Sequence, residues 1–405
     1  MRVLLINQFF WPDTAATGQL LTDVARDINP DMHVVTVFCG SSPYGSLDAG
    51  SPPPVKVVQC GGATFSRRKI GRVVSYASFL VSAATRSIRA PRPELVVTLT
   101  TPPLISLLGT LLKALRGSRH FIWEMDVYPD IAVDLNVLKQ KSFVTKLVGI
   151  LADFSRKRAD GIIALGEDMK ARLVARGISE HKILVAENWA DGNEIVARPF
   201  LDGPLAVHYS GTLGLAHELH TIAEAIRQLR DDNFRFVFVG GGARRPELEK
   251  FCREQRIANV EFRPYEGRSG LSQSLAEGHV GLVTQLPRTV GSVVPSKMYG
   301  IMAAGRPMLY VGPENATPSF VLQRHECGWR VEPGDVAGMV QLLKRLEKDR
   351  SLVREAGARA RRAFDDHYDR PIGVARVLSI LGLSVTSRTA RVSCVAESAF
   401  QRCSR

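Results

Sequence analysis

With 405 residues, 45% of them hydrophobic and 23% charged, the chain is too long for one ordinary α/β core and suits two globular domains of similar size. Its net charge of +13 is unevenly placed: residues 67–158 carry 16 Lys and Arg against six Asp and Glu, a surplus of +10 that calls for an anionic partner. Six scattered cysteines without a Cys-x-x-Cys pair argue against a zinc site or a disulfide framework and suit a reducing compartment.

The first apolar run, 3–6, follows Met1-Arg2 with no hydrophobic signal segment ahead of it. No uninterrupted apolar stretch reaches the roughly 20 residues of a spanning helix. The protein is therefore expected to be neither secreted nor integral to a bilayer. Next comes Gln8-Phe9-Phe10-Trp11-Pro12-Asp13-Thr14-Ala15-Ala16-Thr17-Gly18, then a helical stretch over 19–28. Small residues ending in Gly18 at a helix start let N–H groups approach a phosphate, aided by the helix dipole. An ordinary strand–helix connection is the alternative, since Gly-x-Gly-x-x-Gly is absent.

After a strand at 34–38, Ile70, Val73, Val74, Ala77, Leu80, Val81, Ala84 and Ile88 recur at helical spacing, flanked by Arg67, Arg68, Lys69, Arg72, Arg86 and Arg89. Strands at 95–99 and 121–123 follow. Beyond the second lies Glu124-Met125-Asp126-Val127-Tyr128-Pro129-Asp130, whose carboxylates at a strand end are candidates for acceptor binding or acid–base work. Asp126 is preferred, then Glu124; Asp130 equally suits a cap or turn. A literal Asp-x-Asp is lacking, so no metal is expected. Residues 139–158 then pair Phe143, Leu147, Leu151 and Phe154 with Lys139, Lys141, Lys146, Arg156, Lys157 and Arg158. Such segments suit an anionic lipid surface, at roughly 1 kcal/mol per cation near it. The competing expectation is that the apolar stripes pack on the sheet while the cations are solvated. Aromatic residues make up only 7% and do not interleave with the cations, and no zinc-finger or RNP-like pattern occurs, so nucleic acid is not an expected partner.

Strands at 161–165 and 183–185 complete the first set. Pro199, Gly203 and Pro204 punctuate the aperiodic stretch 193–204, the expected linker between domains 1–195 and 205–383. Strands resume at 205–209, 236–239, 260–262, 281–283 and 307–311. Continuous apolar runs separated by helices mean parallel strands covered on both faces, here two doubly wound, Rossmann-like sheets. Ligands in such sheets bind beyond the carboxyl ends of the strands. There the second half offers Tyr209-Ser210-Gly211-Thr212-Leu213-Gly214, a candidate phosphate cradle, and Val239-Gly240-Gly241-Gly242, where the chain can pass close to a ligand or a neighbouring loop. Pro295-Ser296-Lys297-Met298-Tyr299-Gly300 opens a helix with Ser296 at its cap and Lys297 in its first turn. A cation there opposes the helix dipole, by about 0.3–1 kcal/mol, unless an anion is bound. Lys297 is therefore the candidate diphosphate ligand, the alternative being a solvent-exposed lysine. His217, His220, His279 and His325 lack ligand-like spacing and are read as packing or surface residues. The Ser-, Thr- and Arg-rich stretch 384–405 is expected to be a disordered tail.

In this order the segments resemble the family 4 glycosyltransferases, closest to the bacterial fucosamine-type transferases of O-antigen and capsule assembly. In the first half the resemblance rests on Phe10-Trp11-Pro12 with Gly18, on Asp126-Val127-Tyr128-Pro129-Asp130, on Arg158-Ala159-Asp160-Gly161-Ile162-Ile163-Ala164 and on Val185-Ala186-Glu187-Asn188-Trp189-Ala190-Asp191. In the second half it rests on the 209–214 and 239–242 loops and on Val294-Pro295-Ser296-Lys297 with Ala304-Gly305-Arg306-Pro307. It implies a GT-B fold, with a nucleotide-sugar donor on the C-terminal domain and an acceptor on the N-terminal one. It further implies a retaining, metal-independent hexosyl or N-acetylhexosaminyl transfer without a cofactor, and docking of a basic patch on the inner face of the cytoplasmic membrane. The familiar Glu-x7-Glu carboxylates are missing, because their positions are Ser292 and Gly300, and the usual Arg and Lys pair finds no match in 210–218.

The expected function is transfer of a sugar from a UDP-sugar to a membrane-presented, lipid-linked glycan in polysaccharide synthesis. The donor is expected to meet Gly18, Ser210, Gly211, Thr212, Gly214, Gly240, Gly241, Pro295, Ser296, Lys297 and Tyr299. Two alternatives are a GT-B sugar-nucleotide epimerase, which would act without acceptor, and a non-catalytic binding or assembly subunit on the same scaffold.

Overall fold

The computed structural model describes residues 1–13, 15–40, 51–62, 69–265 and 267–386. The chain divides into two compact units, Met1–Glu187 together with the chain from Pro371, and Asn188–Arg370.

The first unit is a parallel sheet of β1 (Arg2–Ile6), β2 (Val34–Cys39), β3 (Lys56–Gln59), β4 (Leu95–Thr98), β5 (Arg119–Trp123), β6 (Gly161–Ala164) and β7 (Ile183–Val185). Between them run α1 (Ala16–Asp27), α2 (Lys69–Arg89), α3 (Ser106–Arg116), α4 (Asp130–Asp134), α5 (Phe143–Arg158) and α6 (Glu167–Ala175). The strand order is β3-β2-β1-β4-β5-β6-β7. The second unit holds β8 (Leu205–Ser210), β9 (Phe234–Val239), β10 (Val260–Arg263), β11 (Val280–Thr284), β12 (Met308–Val311) and β13 (Gly328–Val331), in the order β10-β9-β8-β11-β12-β13. Its helices are α7 (His220–Gln228), α8 (Arg245–Glu254), α9 (Arg268–Ala276), α10 (Lys297–Ala303), α11 (Thr317–His325), α12 (Val336–Lys348) and α13 (Arg350–Ala363).

Every strand pair is parallel. The central strands β4, β11 and β12 are buried along their whole length, as strands covered by helices on both faces must be. In both sheets the winding reverses once, between β1 and β4 and between β8 and β11. In sheets of this kind ligands bind in the crevice at such switch points, which makes the loops after these four strands the candidate positions.

Three features differ from the sequence reading. First, β3 and β13 were not anticipated. Both are partly exposed edge strands, so neither carries a continuous apolar run. Second, most of the stripe read along α2 faces solvent, while its Leu80 and Ala84 pack against the core. Val73 is 65% exposed, Val81 66% and Ile88 58%, whereas Ser75, Phe79, Ala83 and Ser87 form the buried face at steps of four. Apart from Phe79 that face is made of small and hydroxyl residues, and Ser75 accepts a hydrogen bond of 3.1 Å from the Gln8 amide. Third, the chain leaves the first unit at 187/188, ahead of the expected linker, and α14 (Arg370–Leu381) brings it back. Val385 bridges Ile28, and Thr386 N–H donates to the Asp27 carbonyl at 3.0 Å, so the expected tail begins as ordered chain. Residues 387–405 lie outside the described residues.

Candidate active site

In the second unit the loops after β8 and β9 stack backbone on backbone. Gly211 N–H donates to the Val239 carbonyl at 2.8 Å and Leu213 N–H to the Gly241 carbonyl at 2.7 Å. Gly240 and Gly242 have φ of +118° and +130°, and a Cβ on either would overlap the carbonyl of Gly211 or Leu213. Glycine at 240 therefore answers to the neighbouring loop; Gly241 is exposed, with open space where a Cβ would stand. The N–H groups of Gly211 and Leu213 are engaged, whereas those of Thr212 and Gly214 have no protein acceptor among the described residues.

Lys297, partly buried at the start of α10, lies across this turn. Its Cε is 2.6 Å from where a Cβ on Gly211 would stand, so only glycine (φ +124°) leaves room for it. Its Nζ is 3.3 Å from His217 Nε2 and 5.4 Å from the centre of the Tyr209 ring. Both are neutral. Among the described residues no carboxylate pairs with this ammonium, and burial lowers its pKa from 10.5 to about 8. A cation held in a partly desolvated place without a counter-ion is a site prepared for an anion.

The surroundings are rigid. The Thr284 hydroxyl donates to the Glu218 carbonyl at 2.6 Å, and Tyr310 OH donates to Gln285 Oε1 at 3.0 Å. Gln285 in turn donates to the carbonyls of Thr289 and Val293, fixing the approach to Pro295. Ser210 is half-buried, Thr212 and Ser296 are exposed, and Pro295 is half-buried. Ser296 makes no side-chain cap bond, leaving its hydroxyl free of that role. Tyr299 does not belong to the donor set: it is fully buried, its ring 5.2 Å from that of Tyr368. At the positions of the familiar carboxylates, buried Ser292 donates to the Thr289 carbonyl and Gly300 adjoins Ile195 and Leu275.

Sequence reasoning passed over two residues here. His217 sits inside the site, and Arg244 donates to the His217 carbonyl at 2.6 Å while pairing with Glu247 at 2.7 Å. Their signal was position in the loops after β8 and β9. His279 is a packing residue, bonded to Ala206 N–H and the Leu201 carbonyl.

In the first unit, Asp126 follows β5. Its N–H donates to the Thr100 hydroxyl at 3.3 Å, and burial, with the charge of Glu124 second, raises its carboxyl to about 6. Glu124 is no acceptor-site carboxylate. It is 2% exposed and takes bonds of 2.5 and 3.2 Å from the Arg156 guanidinium, itself 3% exposed. Arg156 also donates to the Tyr128 carbonyl at 3.0 Å, so it braces the Asp126 loop and is withdrawn from the basic patch. Asp130 pairs with Arg172 at 2.8 Å and Arg176 at 2.5 Å, a structural role. Gly18 lies in the first turn of α1, where a Cβ would come within 3.2 Å of the Phe9 backbone; its small size serves that contact.

Of the patch, Arg67 and Arg68 lie outside the described residues, and Lys69 opens α2. Arg72 is half-buried; Lys139, Lys141, Lys146, Lys157 and Arg158 are exposed. Helices α2, α3 and α5 are neighbours. Beside the cations they expose Val73, Val81 and Ile88, Leu111 and Leu115, and Phe143, Ile150 and Phe154. Their one acidic residue, Asp153, is tied to Arg176 at 2.7 Å and to Arg156. Among the described residues no helix is long and apolar enough to cross a membrane, and no cluster of His, Cys, Asp and Glu is placed to hold a metal ion.

Residues 17–189 match the model of the glycosyl transferase 4-like domain, and residues 205–349 that of glycosyl transferases group 1. The chain is 26% identical over 366 residues to the probable glycosyltransferase WbjE of Pseudomonas aeruginosa, spanning 85% of this chain and 89% of that one. In fold it is similar to sucrose-phosphate synthase of Thermosynechococcus elongatus (TM-score 0.74, 15% identity, 94% of this chain and 98% of that one). It is likewise similar to Anabaena HepE in complex with UDP and glucose (TM-score 0.71, 13% identity, 94% and 99%).

Proposed function

The chain belongs to the GT-B glycosyltransferases that join a 4-like domain to a group 1 domain, and from that premise we propose that it transfers a sugar from a UDP-sugar to a lipid-linked glycan presented at a membrane, in cell-surface polysaccharide synthesis. The observation that carries this is Lys297: an ammonium without a counter-ion, set over a glycine turn beside two free N–H groups. In the proposed reaction the bond from the sugar's anomeric carbon to the diphosphate oxygen breaks as the acceptor hydroxyl bonds to that carbon with retention. The hydroxyl proton leaves with the departing phosphate. Lys297 and the N–H groups of Thr212 and Gly214 stabilise the charge growing on the diphosphate, electrostatic catalysis by groups already in place. Gly241, Ser210 and Ser296 line the same loops. Asp126 orients the acceptor by accepting a hydrogen bond from a hydroxyl adjacent to the one that reacts. HepE, bound to UDP on a similar fold, favours a uridine donor, and the order of the motifs favours the fucosamine-type branch.

The membrane reading rests on the outward face of α2, α3 and α5, where apolar side chains stand among lysines and arginines with no free carboxylate. That combination suits insertion between anionic headgroups.

Calorimetric titration with UDP, GDP and their sugars tests the donor. Saturable binding of UDP, lost in Lys297→Ala, is expected; absence of nucleotide binding would remove the proposal. Turnover of UDP-sugar only when a lipid-linked acceptor is supplied is expected, whereas conversion without acceptor would instead identify an epimerase. Co-sedimentation with phosphatidylglycerol vesicles, weakening as salt rises, tests docking, and equal recovery with purely zwitterionic vesicles would discard it.

A further inference from the structure

The loop between β8 and α7, beside Lys297, contains a histidine whose ring chemistry is fixed by its neighbours. His217 Nδ1 lies 3.0 Å from the Gly214 carbonyl, which can only accept, so Nδ1 carries the hydrogen. Nε2 is then a bare lone pair, and it points at Lys297 Nζ from 3.3 Å. We propose that His217 is a positioning residue for the transfer reaction: by accepting one of the three ammonium N–H bonds it holds Lys297 over the Gly211 turn and leaves the other two for the donor's diphosphate. The proposal rests on the donor reading above.

A neutral acceptor is the chemistry this task requires. A free lysine has four rotatable bonds and loses about 2 kcal/mol of side-chain entropy when fixed, so something must hold it. A carboxylate in this place would hold the ammonium but also cancel the charge meant for the phosphates. The imidazole orients without cancelling. It also stays neutral: burial first, then the Lys297 charge, depresses its pKa to about 3. The ring itself is fixed. Tyr209 meets it edge-on with ring centres 5.8 Å apart, and Arg244, paired with Glu247, clamps its carbonyl. Glu218, the next residue in the chain, is buried; its Oε1 accepts Thr221 N–H at 3.2 Å at the start of α7, and its Oε2 has no hydrogen-bond partner among the described residues. The Tyr209 hydroxyl donates to the Thr212 carbonyl at 2.8 Å.

The test compares full-length His217→Leu, which has no acceptor, with His217→Gln, whose amide oxygen can reach the place of Nε2. Two quantities are read: the titration of the Lys297 amine by NMR of labelled lysine, assigned with Lys297→Ala, and the UDP dissociation constant against pH. In the Leu variant the ammonium loses its acceptor, so its midpoint should fall below that of the parent, and UDP should bind about tenfold more weakly at pH 7. The Gln variant should restore both, with affinity within about threefold. A parent-like midpoint and affinity in the Leu variant would overturn the proposal. So would equal weakening in both variants with an unmoved midpoint, the mark of a merely structural residue. A midpoint that falls in the Leu variant while the parent binds no UDP would leave the contact standing and sink the donor reading instead.

Discussion

Lys297→Ala is the decisive perturbation of the proposed mechanism. The burial that brings this lysine from 10.5 to about 8 represents a penalty on the ammonium of about 3 kcal/mol in the free protein, which a bound diphosphate would relieve. Loss of one preorganised donor to a developing oxyanion costs a similar amount, about 2.7–4 kcal/mol, or roughly 10²–10³-fold in kcat. The two magnitudes agree, so the variant should lose at least about 10² in turnover, read as UDP released from UDP-sugar with lipid-linked acceptor present. Lys297→Met separates charge from packing, since it keeps an unbranched chain lying on Gly211. It should fall as far as the Ala variant while melting near the parent. Turnover within about threefold of the parent in the Met variant would refute the role of the ammonium.

Activity should follow a bell in pH. It falls below about 6, where Asp126 takes up a proton and loses the charge that strengthens its hydrogen bond to the acceptor, and it falls again above about 8, where Lys297 gives its proton up; a flat profile between pH 5 and 9 would contradict both assignments. Gly240→Ala forces a left-handed backbone on alanine and a Cβ into the Gly211 carbonyl, so about 2–4 kcal/mol of stability should be lost in urea melts, together with UDP binding. Parent-like stability would mean that the two loops are not pressed together as described. Arg156→Met leaves Glu124 buried without its guanidinium partner and should cost about 3–5 kcal/mol in urea melts. A surface cation of the patch, such as Lys146, should cost almost nothing when replaced by Met.

What the sequence disclosed follows from what burial writes into it. Val3, Leu4, Leu5 and Ile6 or Met308, Leu309, Tyr310 and Val311 stand out because both faces of these strands are covered, so no polar residue interrupts them. Lys56–Gln59 and Gly328–Val331 are edge strands, and exposure there erases the run. Along α2 most of the hydrophobic side chains point outward, because the helix approaches the core through Ser75, Phe79, Ala83 and Ser87, of which only Phe79 is large and apolar. In the site, glycines betrayed the turn and an ill-placed cation betrayed Lys297, since each breaks a local rule. His217 breaks none; its meaning comes from a partner 80 residues away. Glu124 and Arg156 misled for the same reason. Each is one more charge in a charged stretch until folding brings them together across 32 residues.

That pairing bears on why the proposed acceptor carboxylate, Asp126, and the apolar surface lie in the same unit. Helix α5 has two occupations. Its inner face sends Arg156 to Glu124 and to the Tyr128 carbonyl, on either side of Asp126, while Asp153 locks onto Arg176 and through it to Asp130. Its outer face presents Phe143, Leu147, Ile150 and Phe154, with the Arg158 guanidinium 4.6 Å above the Phe154 ring. A helix held on one side by a buried ion pair and a partly buried one has little freedom to tilt when its other side meets lipid. The proposed docking surface and the Asp126 loop are thus referred to one rigid element. An acceptor anchored in the bilayer would then meet its carboxylate at a height fixed by α5 rather than by a mobile loop. Substitutions should divide accordingly: Ile150→Asp or Phe154→Asp should weaken vesicle binding and leave melting unchanged, whereas Arg156→Met should lower melting first. If the outward substitutions destabilised the fold as much as the inward one, α5 would be a core helix with no face to spare, and the membrane reading would lose its support.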